Sequence, residues 1–529
     1  MSAGSTQISD RVRVGIDGLD DVLMGGLLRH NNVLLEGPAG AGKTTLALSF
    51  LHAGAVLHQE PGLLVSFEHS PGKLLRDARG FGWDLEGLMR QGTLKVVETT
   101  PAYLLKELRQ TRLVDGSLAN ELRSLGIKRL VIDGLTPWRL AHEAVAGQTE
   151  SFRSALSQVI GALTRLGITT MVTSESDGRS SAQLADERYV FDTVIAVDLV
   201  SRTLTAQTSA PSHGLRRTLE VLKSRGQDFV HGRHTLRIEA GRGAVVYQRA
   251  HSRLKSFVPS SAQPERELHS FGSLEIDALF GGGLYAGSIT MVSGIAGAGK
   301  TVAGMQFLAA GAQMGEAGLM VSLDEQPAQL TRNAKSLGFP IDAFVSNEQL
   351  SFLYESPLDL ELDVHFDRFV RMVDERNIQR VVFDSLALYE KSCPEDVIGF
   401  MYAVAAFCKA RGLLTVVNYE SPALHGVSQL SESIKGSQLV DNIVLLSYLE
   451  IADDLRRGIA VPKARGRGNL QTTREYVIRE GGLTLLPRTP RISTDPADPS
   501  LGLSSSLGML ARAQAQRGMA VEPMPFDER

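Results

Sequence analysis

The chain has 529 residues, of which 43% are hydrophobic and 22% charged, a composition typical of a soluble globular protein that is too long for one core. The net charge of −4 gives no support to a protein dedicated to nucleic acid backbones, and two cysteines, Cys393 and Cys408, fit neither a metal site nor a disulfide framework. The sequence shows no signal-peptide pattern and no bilayer-length apolar run, so we expect a cytoplasmic protein without a membrane partner.

The same series of predicted elements occurs twice along the chain. In the first half a short acidic and apolar helix, GIDGLDDVL, is followed by a Gly-Gly pair, the strand NVLLEG and a glycine-rich loop. In the second half SLEIDALF, three glycines and the strand ITMVSG lead into a near copy of that loop. Later segments repeat in the same order, such as GLLVSFEHSP with GLMVSLDEQP. This self-similarity predicts two related domains.

The two glycine-rich loops, residues 37–44 and 294–301, both fit GxxxxGK[ST] between a strand and a helix. Glycines let successive N–H groups turn towards an anion, and the following helix adds its positive N-terminus. The pattern predicts that the lysine contacts the β- and γ-phosphates of ATP, with a role in catalysis, and that the first threonine binds Mg²⁺. The candidate nucleotide-binding residues are Gly37, Gly40, Gly42, Lys43, Thr44, Thr45, Gly294, Gly297, Gly299, Lys300 and Thr301. The alternative, a glycine-rich turn without a ligand, is disfavoured by the duplication.

Acidic residues end the second predicted strand of each repeat, as Glu68-His69 and as Asp324-Glu325. Open α/β sheets bind ligands at the carboxyl ends of their strands, and ATP hydrolysis needs a group that orients the attacking water. We therefore predict Glu68 as the catalytic base of the first site. In the second, Asp324 holds the matching position, and the longer Glu325 assists or replaces it. Ordinary solvated carboxylates are the alternative.

An aspartate ends a later strand in each repeat, Asp133 in RLVIDG and Asp384 in RVVFDS. A strand-end aspartate in register with a phosphate loop is expected to hold the Mg²⁺ shell together with the loop threonine, Thr44 or Thr301. Taken alone, each aspartate could equally cap the N-terminus of a helix.

The element Lys-x-Arg-Gly also occurs twice, with Lys223 and Arg225 in the first repeat and Lys463 and Arg465 in the second. In an extended segment, residues two apart lie on one face. Such a cation pair could stabilise the charge on a γ-phosphate held by a neighbouring subunit. A solvated strand edge is the alternative interpretation.

Short Val-, Ile- and Leu-rich runs alternate with helical segments in each repeat, which predicts an α/β fold with mostly parallel sheets flanked by helices. We place the first domain at residues 1–248, a Ser-, Pro- and charge-rich linker at 249–266, and the second domain at 267–488. The remaining tail, 489–529, is predicted to be mostly disordered, with a short docking helix as the alternative.

These motifs together resemble the KaiC family of tandem RecA-like P-loop ATPases, over nearly the whole chain to about residue 488. The most specific segments are GIDGLDDVLMGGL, SFEHSP with LLRDARGFGWDL, and LEVLKSRG. The resemblance implies a homohexameric double ring with ATP at the subunit interfaces, contacted in trans by the Lys-x-Arg pairs. A histidine that family members often carry nearby is replaced here by Phe229 and Asn469.

The resemblance also implies autophosphorylation of an adjacent Ser and Thr in the second domain. In SESIKGSQLVDNIVLL the serine falls on Ser437, whereas the threonine position holds Gln438. Glutamine cannot accept a phosphoryl group, so a serine autokinase is expected rather than a two-site phosphorylation cycle.

We therefore predict a KaiC-like ring ATPase that uses ATP and Mg²⁺, with a regulatory or signalling role. A KaiB-like or other signalling partner is a further hypothesis, and nucleic acid is not expected as a partner. Two alternatives stay open: a DNA-directed RecA-fold ATPase, and a scaffold that ATP assembles with little turnover.

Overall fold

The structure is a computed structural model that describes residues 11–67, 69–101, 117–144, 151–176, 181–201, 215–257, 267–420, 438–451, 454–466, 468, 470 and 472–487. The predictions for Glu68, for Ser437 and for the tail 489–529 concern residues outside these ranges, whereas Gln438 is the first residue of a described range. The chain divides into two compact units, with the boundary between Ser252 and Arg253. Within the described residues, no helix is both long enough and apolar enough to cross a membrane.

The first unit alternates strands and helices along most of its length. Its strands are β1 (Arg11–Val12), β2 (Leu27–Leu28), β3 (Asn32–Gly37), β4 (Gly62–Ser66), β5 (Leu94–Glu98), β6 (Arg129–Asp133), β7 (Thr169–Glu175), β8 (Thr193–Ser201), β9 (Leu215–Ser224), β10 (Arg233–Glu239) and β11 (Gly243–Tyr247). Its helices are α1 (Leu19–Val22), α2 (Lys43–Leu57), α3 (Pro71–Arg79), α4 (Leu85–Arg90), α5 (Ser117–Ser124), α6 (Leu135–Glu143), α7 (Phe152–Arg165) and α8 (Ser181–Val190).

Nine of these strands form one sheet in the order β11-β10-β9-β8-β3-β7-β6-β4-β5. Neighbours from β8 to β5 are parallel, whereas β8, β9, β10 and β11 pair in antiparallel fashion. The parallel strands β3, β4 and β6 are buried along their length, because helices cover both faces of such a sheet. The predicted mostly parallel α/β sheet is confirmed, and three antiparallel strands extend it.

The second unit repeats this order of elements. Its strands are β12 (Leu268–His269), β13 (Leu284–Tyr285), β14 (Ile289–Gly294), β15 (Gly318–Ser322), β16 (Leu350–Tyr354), β17 (Arg380–Asp384), β18 (Leu414–Glu420), β19 (Asn442–Ile451), β20 (Asp454–Ala464), β21 (Arg474–Arg479) and β22 (Gly482–Leu485). Its helices are α9 (Leu274–Leu279), α10 (Lys300–Gln313), α11 (Pro327–Ser336), α12 (Ile341–Ser346), α13 (Leu362–Glu375), α14 (Leu386–Ser392) and α15 (Val397–Arg411).

The second sheet has the order β16-β15-β17-β18-β14-β19-β20-β21-β22, again parallel from β16 to β19 and antiparallel beyond. In both units the strand that leads into the phosphate loop, β3 or β14, lies inside the sheet between two parallel neighbours. The two sheets therefore confirm the predicted tandem architecture.

The beginning of the segment predicted as a linker is ordered. A 3-10 helix covers Ala250–Ser256, and the ring of Phe257 packs at 5.2 Å from that of Phe407. An apolar side chain can anchor a stretch whose other residues are polar, and the composition of 249–266 did not reveal this.

A buried arginine fastens the phosphate-loop helix to the sheet in each unit. Arg380, at the start of β17, donates to Glu316 and to the carbonyl oxygens of Ser270 and Phe307. Arg129, at the start of β6, does the same with Glu60 and the carbonyl of Phe50.

These guanidinium groups fit only because a glycine faces them from the helix. A Cβ added to Gly54 would lie 2.4 Å from Arg129 Cδ, and one added to Gly311 would lie 2.3 Å from Arg380 Cδ. The arginines thus occupy space that a side chain on α2 or α10 would fill.

Candidate functional site

The phosphate loops join the end of a central strand to the start of a buried helix. The first runs from Gly37, which ends β3, to Lys43, which begins α2. Gly40 and Gly42 have φ angles of 76° and 101°, in the left-handed region that favours glycine. A Cβ on Gly42 would also lie 2.7 Å from Ile238 Cδ1. The loop conformation therefore depends on glycine at these positions.

The loop lysines have the same contacts in both units. Lys43 Nζ donates to the carbonyl oxygens of Gly37 and Pro38, at 2.9 and 2.8 Å. Lys300 Nζ donates to those of Gly294 and Ile295, both at 2.9 Å. Burial lowers the pKa of Lys300. Each ammonium group thus lies within the turn of its own loop, where it could contact an anion bound by the loop N–H groups.

The loop threonines lie against the strand-end aspartates. Thr44 Oγ1 donates to Asp133 Oδ2 at 3.2 Å, and Thr301 Oγ1 donates to Asp384 Oδ2 at 2.7 Å. Thr173 Oγ1 donates to the other carboxylate oxygen of Asp133, at 2.6 Å. Burial raises the pKa of Asp384, and the bond from Thr301 opposes this shift.

The helix-capping alternative does not fit these aspartates. The N-cap of α6 is Gly134 and that of α14 is Ser385, each one residue beyond the aspartate. The carboxylates instead face the loop hydroxyls, and hydroxyl and carboxylate oxygens are the ligand types that suit Mg²⁺. The residues present therefore fit a magnesium ion bound together with a nucleotide phosphate.

The acidic pairs follow β4 and β15, the strands next to β6 and β17. Glu68 lies outside the described residues, but its neighbour His69 has its Nδ1 atom 3.9 Å from Asp133 Oδ2. In the second unit Asp324 is exposed, and Glu325 accepts a bond from Asn333 Nδ2 at 2.9 Å. Burial raises the pKa of Glu325, and the charges of Asp384 and Asp324 raise it further. The pair therefore lies at the carboxyl end of the parallel strands, as the phosphate loop does.

The Lys-x-Arg pairs are not brought to the loops of their own units. Lys223 is paired with Val194, beside the beginning of β3, and its Nζ donates to the carbonyl oxygens of Arg188 and Phe191. Lys463 likewise donates to the carbonyl of Val440.

The arginines of these pairs contact the same end of the sheet. Arg225 contacts Asp192, with 3.7 Å between Nη1 and Oδ1, and Arg465 donates to Asp441 at 3.3 Å. The phosphate loops begin at the opposite, carboxyl ends of β3 and β14. The pairs therefore lie at the end of each sheet opposite its own phosphate loop, beside the amino ends of the parallel strands.

One arginine outside the predicted motifs contacts the first loop directly, and its counterpart lies over the ring of a tyrosine that contacts the second loop. Arg217 Nη2 donates to the carbonyl of Gly40 at 3.4 Å, and the guanidinium of Arg457 lies 5.5 Å from the centroid of the Tyr448 ring. Tyr448 in turn donates to the carbonyl of Gly297 at 3.0 Å. Both arginines stand six residues before the lysine of the Lys-x-Arg pair, so a longer repeat alignment could have found them.

Comparisons with known proteins match both halves. The family model described as "ATPase: KaiC" matches residues 12–251 and 272–490. The circadian clock oscillator protein KaiC of Thermostichus vulcanus is 29% identical over 475 residues, which cover 88% of this chain and 87% of that protein. The same figures hold for KaiC of Thermosynechococcus vestitus, and KaiC of a Picosynechococcus species is 27% identical over 489 residues, 91% of this chain and 90% of the relative.

Proposed function

The chain belongs to the KaiC ATPase family, and from this membership we propose that it is a ring-forming protein that binds and hydrolyses Mg-ATP at two sites. The observation that carries the proposal is the duplicated constellation of loop lysine, loop threonine and strand-end aspartate. Lys43, Thr44 and Asp133 in the first unit have the same contacts as their counterparts in the second. A loop retained only for its turn would not require this set of partners twice.

Each residue of the constellation has a role that its position supports. The loop N–H groups and the helix N-terminus attract the phosphates, and the lysine, once released from the loop carbonyls, pairs with the β- and γ-phosphates. Mg²⁺, when bound, would neutralise charge that develops on the transferred phosphoryl group. Thr44 with Asp133, and Thr301 with Asp384, would hold the ion and its water ligands.

The second-strand carboxylates would orient the water that attacks the γ-phosphate. In the first site we assign this role to Glu68. In the second site, burial and the charges of Asp384 and Asp324 raise the pKa of Glu325, whereas Asp324 is exposed. We therefore propose that Asp324 faces the water and that Glu325 supports it.

Assembly into a homohexameric double ring is part of the proposal. Lys223 and Arg225 lie at the end of the sheet away from their own loop, so a nucleotide that they contact would not be the one bound by that loop. The resemblance to KaiC proteins supports this trans role, as well as a cytoplasmic location and a KaiB-like or other signalling partner.

Neutralising the second-strand carboxylates should reduce turnover and leave binding intact. We expect Glu68→Gln to lower hydrolysis at the first site about 100-fold, because general-base assistance typically contributes this much. Asp324→Asn should do the same at the second site, and Glu325→Gln should have a smaller effect. Phosphate release is measured alongside ATP binding, with the other site disabled at its loop lysine. Undiminished release in Glu68→Gln would refute the first assignment.

The autokinase activity is tested by intact mass after incubation with Mg-ATP. We expect the addition of one phosphate, located at Ser437 by peptide mapping and absent from both Ser437→Ala and Lys300→Met proteins. If phosphate were transferred equally in Ser437→Ala, the acceptor would be another residue. If ATP were consumed with no mass increase, the second site would be an ATPase without kinase activity.

A further inference from the structure

The second phosphate loop is held by two tyrosine hydroxyls. Tyr448, on β19, donates to the carbonyl of Gly297, and Tyr476, on β21, donates to the carbonyl of Ala298. These carbonyls belong to consecutive residues at the tip of the loop. Tyr476 is 2% exposed, so its hydroxyl is directed to the loop by its packing. Burial raises the pKa of Tyr476, which keeps this hydroxyl protonated and able to donate.

The first loop lacks this arrangement at structurally equivalent positions. In the strand register, Arg457 on β20 lies opposite Tyr448 on β19 and opposite Tyr476 on β21. Its counterpart Arg217 is paired in the same way with Leu199 and Leu236.

The leucine side chain has no hydrogen-bond donor, so neither Leu199 nor Leu236 can donate from its side chain to a loop carbonyl. Arg217 donates to the first loop at Gly40, over a long 3.4 Å. The two loops otherwise share their turn, with Ala41 N and Ala298 N each donating to a loop carbonyl at 3.3 Å.

Fixing a carbonyl also fixes the N–H group on the other side of the peptide bond. The peptide unit is planar and trans, so its C=O and N–H groups point in opposite directions. The bond from Tyr476 to Ala298 therefore sets the direction of the Gly299 N–H. The bond from Tyr448 to Gly297 supports the turn in which the Ala298 N–H donates to the carbonyl of Ile295. A loop held in this way loses less conformational freedom when it binds an anion.

We propose that Tyr448 and Tyr476 are positioning residues that preorganise the second phosphate loop, so that the second site releases ATP more slowly than the first. The inference rests on the proposed ATP binding and adds a specific difference between the two sites. It assigns the difference to two hydroxyl groups of the second sheet, one on β19 and one on β21.

The first test needs no nucleotide. Hydrogen–deuterium exchange of the full chain, read by mass spectrometry, compares the protection of residues 294–301 with that of 37–44. We expect greater protection in the second loop, and Tyr476→Phe should reduce it about 3- to 10-fold because one hydrogen bond is lost. The first loop serves as the internal control. Tyr402→Phe, an exposed tyrosine on α15, is the matched control substitution.

The second test measures release of ATP. The full chain carrying Lys43→Met is loaded with a fluorescent N-methylanthraniloyl-ATP and chased with unlabelled ATP in a stopped-flow instrument. Tyr476→Phe should speed release from the second site about 3- to 10-fold, and the double variant with Tyr448→Phe should speed it further. Tyr402→Phe should not change it.

The outcomes separate the inference from the proposed function. Unchanged loop protection and unchanged release in the tyrosine variants would overturn the inference while ATP binding stands. Absence of any nucleotide binding would refute the proposed function, and the exchange experiment would still decide whether the hydroxyls order the loop. A loss of protection spread over the whole second unit would show that the tyrosines act as general core residues, which also contradicts the inference.

Discussion

Replacing Lys300 by methionine is expected to weaken ATP binding at the second site about 1,000-fold. The ammonium group now donates to two loop carbonyls, and it would exchange these bonds for charge-assisted bonds to the phosphates. Bonds between the ammonium and the charged phosphates are stronger than the carbonyl bonds that they replace, and a net gain of about 1.5–3 kcal/mol for each of the two accounts for the expected change. Methionine keeps most of the length of the side chain, which limits any effect on the packing of α10.

The same substitution in the first loop, Lys43→Met, tests the other site and the assembly. Binding is measured by equilibrium titration with labelled ATP, and oligomeric state by analytical ultracentrifugation with and without ATP. We expect each single variant to retain one class of site and the double variant to bind no ATP. Because ATP is proposed to lie between subunits, Lys43→Met should also loosen the ring. An unchanged assembly in the double variant would contradict interfacial nucleotide.

Removing Glu316 is expected to lower the free energy of unfolding of the second unit by about 3–5 kcal/mol. Arg380 is fully buried and pairs with this carboxylate, so Glu316→Ala removes the carboxylate that bonds to the guanidinium and leaves only the carboxylate of Asp277, which the guanidinium does not bond, to offset the buried charge. The guanidinium keeps its bonds to two carbonyl oxygens, which do not neutralise it. In contrast, Asp374→Ala removes an exposed partner of Arg411 and should change stability by less than about 1 kcal/mol.

The two tryptophans make this prediction specific to a unit. Trp83 and Trp138 both lie in the first unit, so tryptophan fluorescence reports on its unfolding, whereas circular dichroism reports on both units. In guanidinium chloride, Glu316→Ala should shift the circular dichroism transition and leave the fluorescence midpoint in place. The matched variant Glu60→Ala, at the equivalent pair with Arg129, should shift the fluorescence midpoint. Equal, small shifts in all variants would show that the buried pairs do not carry this stability.

The candidate site was predictable from the sequence where it depends on contiguous residues. A phosphate loop of eight residues contains its glycines, lysine and threonine in one segment, so a pattern is sufficient to find it. The strand-end aspartates were also predictable, because Asp133 and Asp384 follow buried strands at equivalent positions of a repeat. A position at the end of a strand does not show whether the aspartate caps a helix or contacts the loop. The structure shows that both aspartates accept hydrogen bonds from the loop threonines.

The contacts that distant strands make with the loop could not be found in this way. Tyr476 is far from Ala298 along the chain, and only the pairing of β20 with β21 brings its hydroxyl to the loop. Arg217 reaches Gly40 through the antiparallel pairing of β8 with β9. Which strands become neighbours depends on the packing of the whole sheet, and the periodicity within one strand does not identify its neighbours.

The sequence by itself determined the duplicated architecture, the two phosphate loops and their partner aspartates, because each is encoded by local patterns that recur in order. Only the tertiary structure decided that the Lys-x-Arg pairs lie away from their own loops, that a buried arginine fastens each loop helix, and that two tyrosines hold one loop but not the other. These features depend on where non-neighbouring strands meet and on which way buried side chains point. Both follow from close packing and the need to satisfy buried polar groups across the whole unit.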